Sequence, residues 1–291
     1  MARDHAAANA RGSESRGVRE LVPVVEGAMK MYMCWAAVMI MSCAANHPQG
    51  SAMEQTLHYR VQMNALFGPV MSGESTLQAD LTAQVDMRLS STRTRRFRDG
   101  SIGRLLRFET ANITVNDSPT FLDLEGRSVE IRTFPNGEIL DIVWMDKVSG
   151  HGRYMDVFGV VFQALSPAPP SLNVAEQVNR RIIWPYRVGK QLRWDNTVNA
   201  VWTNQGMVEN EDYSAWKLHY DGPWTVKGGT RFQTPEVKFA AHGTGTGTVE
   251  MDARARELLS HRFEWSRDVT VTGRQTVTQS QAFRGVVEVL R

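Results

Sequence analysis

The sequence predicts a mainly β protein: antiparallel curved sheets or a partial barrel in two strand-rich halves, with one central helix. Three observations carry this. Apolar and polar residues alternate over long stretches. One segment alone repeats its apolar residues at intervals of three and four. A proline-rich break falls between two alternating halves.

The chain opens on residues 1–42, an N-terminal extension plus signal peptide. Met1–Arg19 is rich in Ala, Arg, Ser and Gly and has no apolar periodicity, the composition of disordered chain. Lys30 then precedes the apolar run Met31–Met41, where Met29 or Met31 is the more ordinary start for such a signal. About 20 apolar residues are needed to span a bilayer as a helix, and this run has the shorter length of a signal-peptide core. It ends in Ile40-Met41-Ser42-Cys43, which resembles the lipobox of a bacterial lipoprotein precursor. That resemblance implies cleavage before Cys43 and acylation of its sulfur. Ala44 is not acidic, which implies delivery to the outer membrane, facing the periplasm. Residues 43–54 are polar, with Pro48, Gly50 and Ser51, and read as a tether. The alternative, a core helix that happens to end in cysteine, leaves that polar segment unexplained.

Residues 55–170 form the first strand-rich half. Leu57, Tyr59, Val61, Met63, Ala65 and Phe67 share one face of a strand. Thr76–Ser90 alternates without a break, with Leu77, Ala79, Leu81, Ala83, Val85, Met87 and Leu89 on the apolar side. Successive side chains of a strand point to opposite faces, so this is one long half-buried strand, fed by a turn at Gly68–Ser75. Val129–Ile131 leads through Pro135-Asn136-Gly137 into Ile139–Trp144, where Asn-Gly predicts a tight hairpin with positive φ at both residues. Tyr154, Val157, Phe158, Val161, Phe162 and Leu165 then form one stripe of a helix over 154–165, expected to pack on the apolar face of the sheet. Ser166-Pro167-Ala168-Pro169-Pro170 stops it.

The second strand-rich half is 184–291. Leu192, Trp194, Val198, Ala200 and Trp202 share a face, with Asn196 among them. Leu259, Phe263, Trp265, Val269 and Val271 oppose Ser260, Arg262, Glu264, Ser266, Asp268 and Thr270. His242–Gly247 is expected as a turn feeding a strand at Thr248–Asp252. Alternation of this kind favours antiparallel sheets with one wet face. A duplicated architecture of the two halves stays open.

From Cys43 onward the chain has 249 of its 291 residues, enough for one large or two small domains. Net charge is +2 with both signs interspersed, so no basic footprint argues for nucleic acid. Of two cysteines, Cys34 leaves with the signal and Cys43 is acylated, so neither a disulfide nor a cysteine metal cluster forms. A chain that is 42% hydrophobic can hold itself together by its core.

The mature part resembles the DUF6263-type group of bacterial lipoproteins. The residues that carry this are Leu124–Arg127 with Phe134–Ile139, Asp156–Leu165 before its proline, Pro185–Trp194 as a P-x-x-V-G-x-x-W opening of the second half, and Gly243–Gly247 as a Gly/Thr-rich strand opening. The resemblance implies a fold and an envelope address. That group has no established activity, so no reaction follows.

No catalytic set, metal site or cofactor is expected. His5, His47, His58, His151, His219, His242 and His261 have no metal-ligand spacing, although His219 and His242 are candidates to meet in space. Ser149-Gly150-His151-Gly152 lacks the elbow of a nucleophilic serine and reads as a loop. Gly243–Gly247 is followed by strand rather than helix, so it reads as a turn or strand edge and not as a phosphate cradle. Arg93–Arg98 is a basic cluster with two readings: a solvated strand end, or a contact for anionic lipid headgroups.

The tryptophans are the best binding signal, since such rings line grooves as well as cores. Trp194 and Trp202 share a strand face with Leu192 and Val198 and read as core. Trp184 lies beside Pro185 outside a clear alternating strand. With Trp216 and Trp224 it makes the candidate ligand or partner surface. Two functions are therefore carried forward. One is a lipid-anchored, non-enzymatic envelope protein, tethered to the membrane through Cys43 and binding an apolar ligand or an envelope protein. The other is an envelope hydrolase with a site assembled from distant residues, or else a structural subunit of an envelope complex.

Overall fold

In the computed structural model the described residues are 56–290, apart from 136, 168–172, 189–191, 210–212 and 231–235, and without the side chains of 153, 155 and 182–194. Cys43 and the expected signal and tether lie outside them.

The strands are β1 (Thr56–Phe67), β2 (Val70–Ser72), β3 (Ser75–Gln78), β4 (Leu81–Arg96), β5 (Ile102–Val115), β6 (Ser118–Pro119), β7 (Ser128–Thr133) and β8 (Ile139–Trp144). A 3-10 turn (His151–Tyr154) leads into helix α1 (Met155–Ala164). Then come β9 (Gln177–Val188), β10 (Leu192–Glu209), β11 (Ser214–Thr230), β12 (Lys238–Asp252), β13 (Leu258–Thr272) and β14 (Thr276–Leu290). All pair antiparallel in one curled sheet, open rather than closed into a barrel, of order β8-β7-β5-β4-β1-β14-β13-β12-β11-β10-β9. The two halves are thus one sheet, joined where β1 pairs with β14 (Val61 opposite Val287). The edge strands β8 and β9 curl back to within 8 Å of each other between Cα atoms.

The expected faces hold. Tyr59, Val61, Met63 and Ala65 are buried, as are Ala83, Val85, Met87 and Leu89, while Gln84 and Arg88 are exposed. Thr76–Ser90 is not one strand, however. It breaks at Ala79-Asp80, and the first part folds back as the β2–β3 hairpin. Leu81 consequently sits at a strand start and is only half-buried. The β7–β8 connection is also wider than a two-residue turn: Thr133 faces Ile139, Phe134 N–H bonds Glu138 O at 2.9 Å, and Gly137 has φ 86°. Asn136 lies outside the described residues.

Gly243–Gly247 is neither turn nor edge. It lies in mid-strand in β12, between β11 and β13. Its three glycines take the inward phase opposite large rings: Gly243 faces Trp224, Gly245 faces Trp265 and Gly247 faces Tyr220. A Cβ on Gly247 would stand 2.5 Å from the Tyr220 hydroxyl. The glycines therefore make room for rings that a second bulky row would displace.

α1 departs most from expectation. Residues 157–165 are buried without exception, including Gly159, Val160, Gln163 and Ala164 on the side opposite the apolar stripe. A helix buried all round lies inside a core. α1 crosses from edge β8 to edge β9 through the interior of the curled sheet. Phe158 and Phe162 meet Trp144 there, at 5.2 and 6.1 Å between ring centres.

Candidate functional site

Two polar residues occupy the inward phase of β13. His261, Phe263, Trp265 and Arg267 follow each other on the buried face, with His261 2% and Arg267 6% exposed. Burying such groups is costly unless they are paired, so their partners define the site.

Arg267 meets the start of α1. Its guanidinium donates to Asp156 Oδ1 at 2.6 Å, to Gln281 Oε1 at 2.8 Å and to Asn196 Oδ1 at 3.3 Å. It also lies 4.5 Å over the Trp224 ring and 5.7 Å from Phe283. Gln281 Nε2 donates back to Asp156 Oδ2 at 3.3 Å. Strands β10, β11, β13 and β14 thus all contribute to a clamp on one carboxylate in the first turn of α1. The positive end of the helix dipole favours a carboxylate there. Asp156 keeps 38% of its side chain exposed, so this end of the helix borders solvent.

His261 holds the other end. Its Nδ1 lies 2.8 Å from the Ala164 carbonyl and its Nε2 2.9 Å from the Tyr220 hydroxyl. Trp265 Nε1 donates to the same hydroxyl at 2.8 Å. One assignment satisfies all three: Trp265 donates to Tyr220, Tyr220 donates to Nε2, and Nδ1–H donates to the helix carbonyl. The ring is therefore neutral. Burial lowers its pKa from 6.5 to about 4, against the raising effect of the Ala164 carbonyl. Burial likewise pushes the Tyr220 hydroxyl well above its ordinary value. Both imidazole nitrogens are occupied, so this arrangement fastens a helix and is not poised to move a substrate proton.

The tryptophans line this interior. Trp224 is 1% exposed beneath Arg267, Trp202 is 1% exposed against Tyr220, and Trp265 is 4% exposed. Trp216 is half-buried and packs on the core. Trp224 therefore offers no exposed surface in this state, because its ring is buried and carries the guanidinium. Any ligand meeting it would do so from inside the sheet. The backbone of Trp184 runs in β9, opposite Asn196, so it does belong to a strand. Its side chain, like that of Trp194, lies outside the described residues.

The remaining candidates stay apart. His219 pairs with Thr248 and His242 with Thr225, which separates the two histidines by about 20 Å at the rise of a strand. His151 Nδ1 meets the Val148 carbonyl at 2.5 Å and its ring lies tilted against Trp144, 4.9 Å between centres, so it closes a loop. Among the described residues no group of His, Cys, Asp and Glu is placed to hold a metal ion, and no helix is long and apolar enough to cross a membrane. The outer face carries an open groove of about 820 Å³ between Gln62, Gln84, Asp86, Arg262, Glu264 and Arg284. Its acids Asp86 and Glu264 are engaged, by Arg60 at 2.7 Å and by Arg284 at 2.9 Å.

No protein-family model matches this chain, and no curated protein is similar to it.

Proposed function

We propose that this is a lipid-anchored, non-enzymatic protein of the bacterial cell envelope that binds a hydrophobic ligand or a protein partner. One observation carries the reading. The largely apolar inner face of an open sheet holds a single buried helix, fastened by one polar contact set at each end. Of these, the Asp156–Arg267 pair borders solvent. Releasing that end would free Arg267, which lies over Trp224 and beside Phe283, from its helix carboxylate. The Ile40–Cys43 box supports the address and resembles that of envelope lipoproteins, DUF6263-type proteins included.

Mass spectrometry of material copurifying with the native membrane form tests this directly, with an enriched lipid or envelope protein expected. Asp156→Asn weakens the clamp and should raise uptake of an apolar, environment-sensitive fluorophore severalfold. Clean preparations together with unchanged uptake would rule the reading out. Cys43→Ala should abolish processing and membrane association, whereas a variant cleaved at the same place and still membrane-bound would remove the anchor.

A further inference from the structure

The sheet has two ends, and the arginines are unevenly shared between them. One end carries Thr56, the β4–β5 connection and the β12–β13 connection. The buried Glu257 binds Arg93 at 3.2 Å, which ties the β12–β13 connection to β4 near its end. Beside that contact three acids are taken, whereas Glu209, at the end of β10 on the same side, is exposed. Glu130 meets Arg95 at 3.6 Å and Asp99 meets Arg132 at 2.6 Å. Asp252 accepts the backbone N–H groups of Arg254 and Ala255 at 2.8 and 2.6 Å. Arg96, Arg98, Arg254 and Arg256 are exposed and, among the described residues, form no ion pair. Thr56, where the tether joins the fold, lies on the same rim: its hydroxyl is 2.8 Å from that of Thr92, next to Arg93.

We infer that this rim lies on anionic phospholipid headgroups of the membrane that holds the anchor. The inference rests on the lipid-anchor reading for its orientation. From Cys43 to Thr56 the chain reaches at most about 45 Å. The fold is therefore held near the surface by one end, and that end presents four unpaired guanidiniums. Arginine suits the task, because its planar fork takes two phosphate oxygens at once. Exposed basic groups near an anionic bilayer each contribute enough attraction to bias occupancy about fivefold.

The test is a phenylglyoxal footprint, read by mass spectrometry, on the full chain as purified from membranes. The protein is placed on vesicles of phosphatidylcholine alone or with phosphatidylglycerol. Modification of Arg96, Arg98, Arg254 and Arg256 should slow about fivefold on the anionic vesicles. Arg274, at the opposite end, should be unaffected. At 1 M salt the screening length falls to about 3 Å, and the difference should vanish. Equal modification of the rim on both vesicles, or equal slowing of Arg274, would overturn the inference. The footprint is read on whatever chain is added, so it fails or succeeds separately from the anchor, whose own test is the mass of Cys43.

Discussion

His261 offers the sharpest test of how the helix is held. Replacement by Phe keeps a flat ring but removes both nitrogens. The Ala164 carbonyl and the Tyr220 hydroxyl proton each lose a buried partner, together worth about 3 kcal/mol at pH 7. The wild-type pH dependence follows from linkage. The folded pKa, about 4, lies below the ordinary 6.5, so the unfolded chain takes up the proton first as pH falls. The contribution of His261 is complete above pH 6.5 and is lost down to pH 4, at about 1.4 kcal/mol per unit, or about 3 kcal/mol in all. The stability gap between wild type and His261→Phe should therefore shrink from about 3 kcal/mol at pH 7 towards zero at pH 4. Urea unfolding of both proteins at pH 7, 6, 5 and 4 measures it, and taking the difference cancels every other titrating group. A gap that stays constant would mean the ring protonates freely in the fold, and the network as drawn would be wrong.

Other outcomes follow from the same packing. Val85→Asp, on the buried face of β4, should cost at least about 3 kcal/mol in denaturant unfolding, and Gln84→Asp, on the exposed face, no more than about 0.5. Equal midpoints would reverse the face assignment. Gly243→Ala would set a Cβ against the Ser266 carbonyl and should cost about 2 kcal/mol, while exposed Thr244→Ala should be nearly silent. Trp224→Ala should lower stability by about 3–5 kcal/mol, because it opens a cavity beneath Arg267; a fully stable variant would return Trp224 to the surface.

Much of the fold was legible because a curled sheet has one dry and one wet face. Alternation marks β1, β4, β10 and β13 for that reason, and local sequence suffices to see it. What alternation does not carry is sheet order. The pairing of β1 with β14 joins residues more than 200 apart, and no local pattern states it. Nor does it mark a break in phase: Ala79-Asp80 keeps the alternation of Thr76–Ser90 while the chain turns between β3 and β4. The helix was found by its stripe, but its burial lay in the other face. Between Asp156 and Leu165 there is no charged residue, and Gly159, Val160, Gln163 and Ala164 fill the side that would otherwise meet water. That absence of charge was the signal for a helix inside a sheet.

The clamp residues had a signal of the same kind. In β13 the apolar phase reads Phe263, Trp265, Val269 and Val271, and the two positions that fail it are His261 and Arg267. Asn196 breaks the phase of β10 in the same way, and Gln281 that of β14. A polar residue in a dry phase must find a partner, and four such residues on three strands near one helix point to a shared one. Partner identity still needs the fold, because Asp156 and Ala164 are 111 and 97 residues away from the side chains that bind them. Placing both contacts on one strand has a mechanical consequence. β13 is an interior strand, flanked by β12 and β14, and has no free edge. The proposed release of α1 would break both of these contacts and the packing of Phe158 and Phe162 on Trp144. The solvent-bordering Asp156 end should open first, and the buried His261 end should act as the hinge.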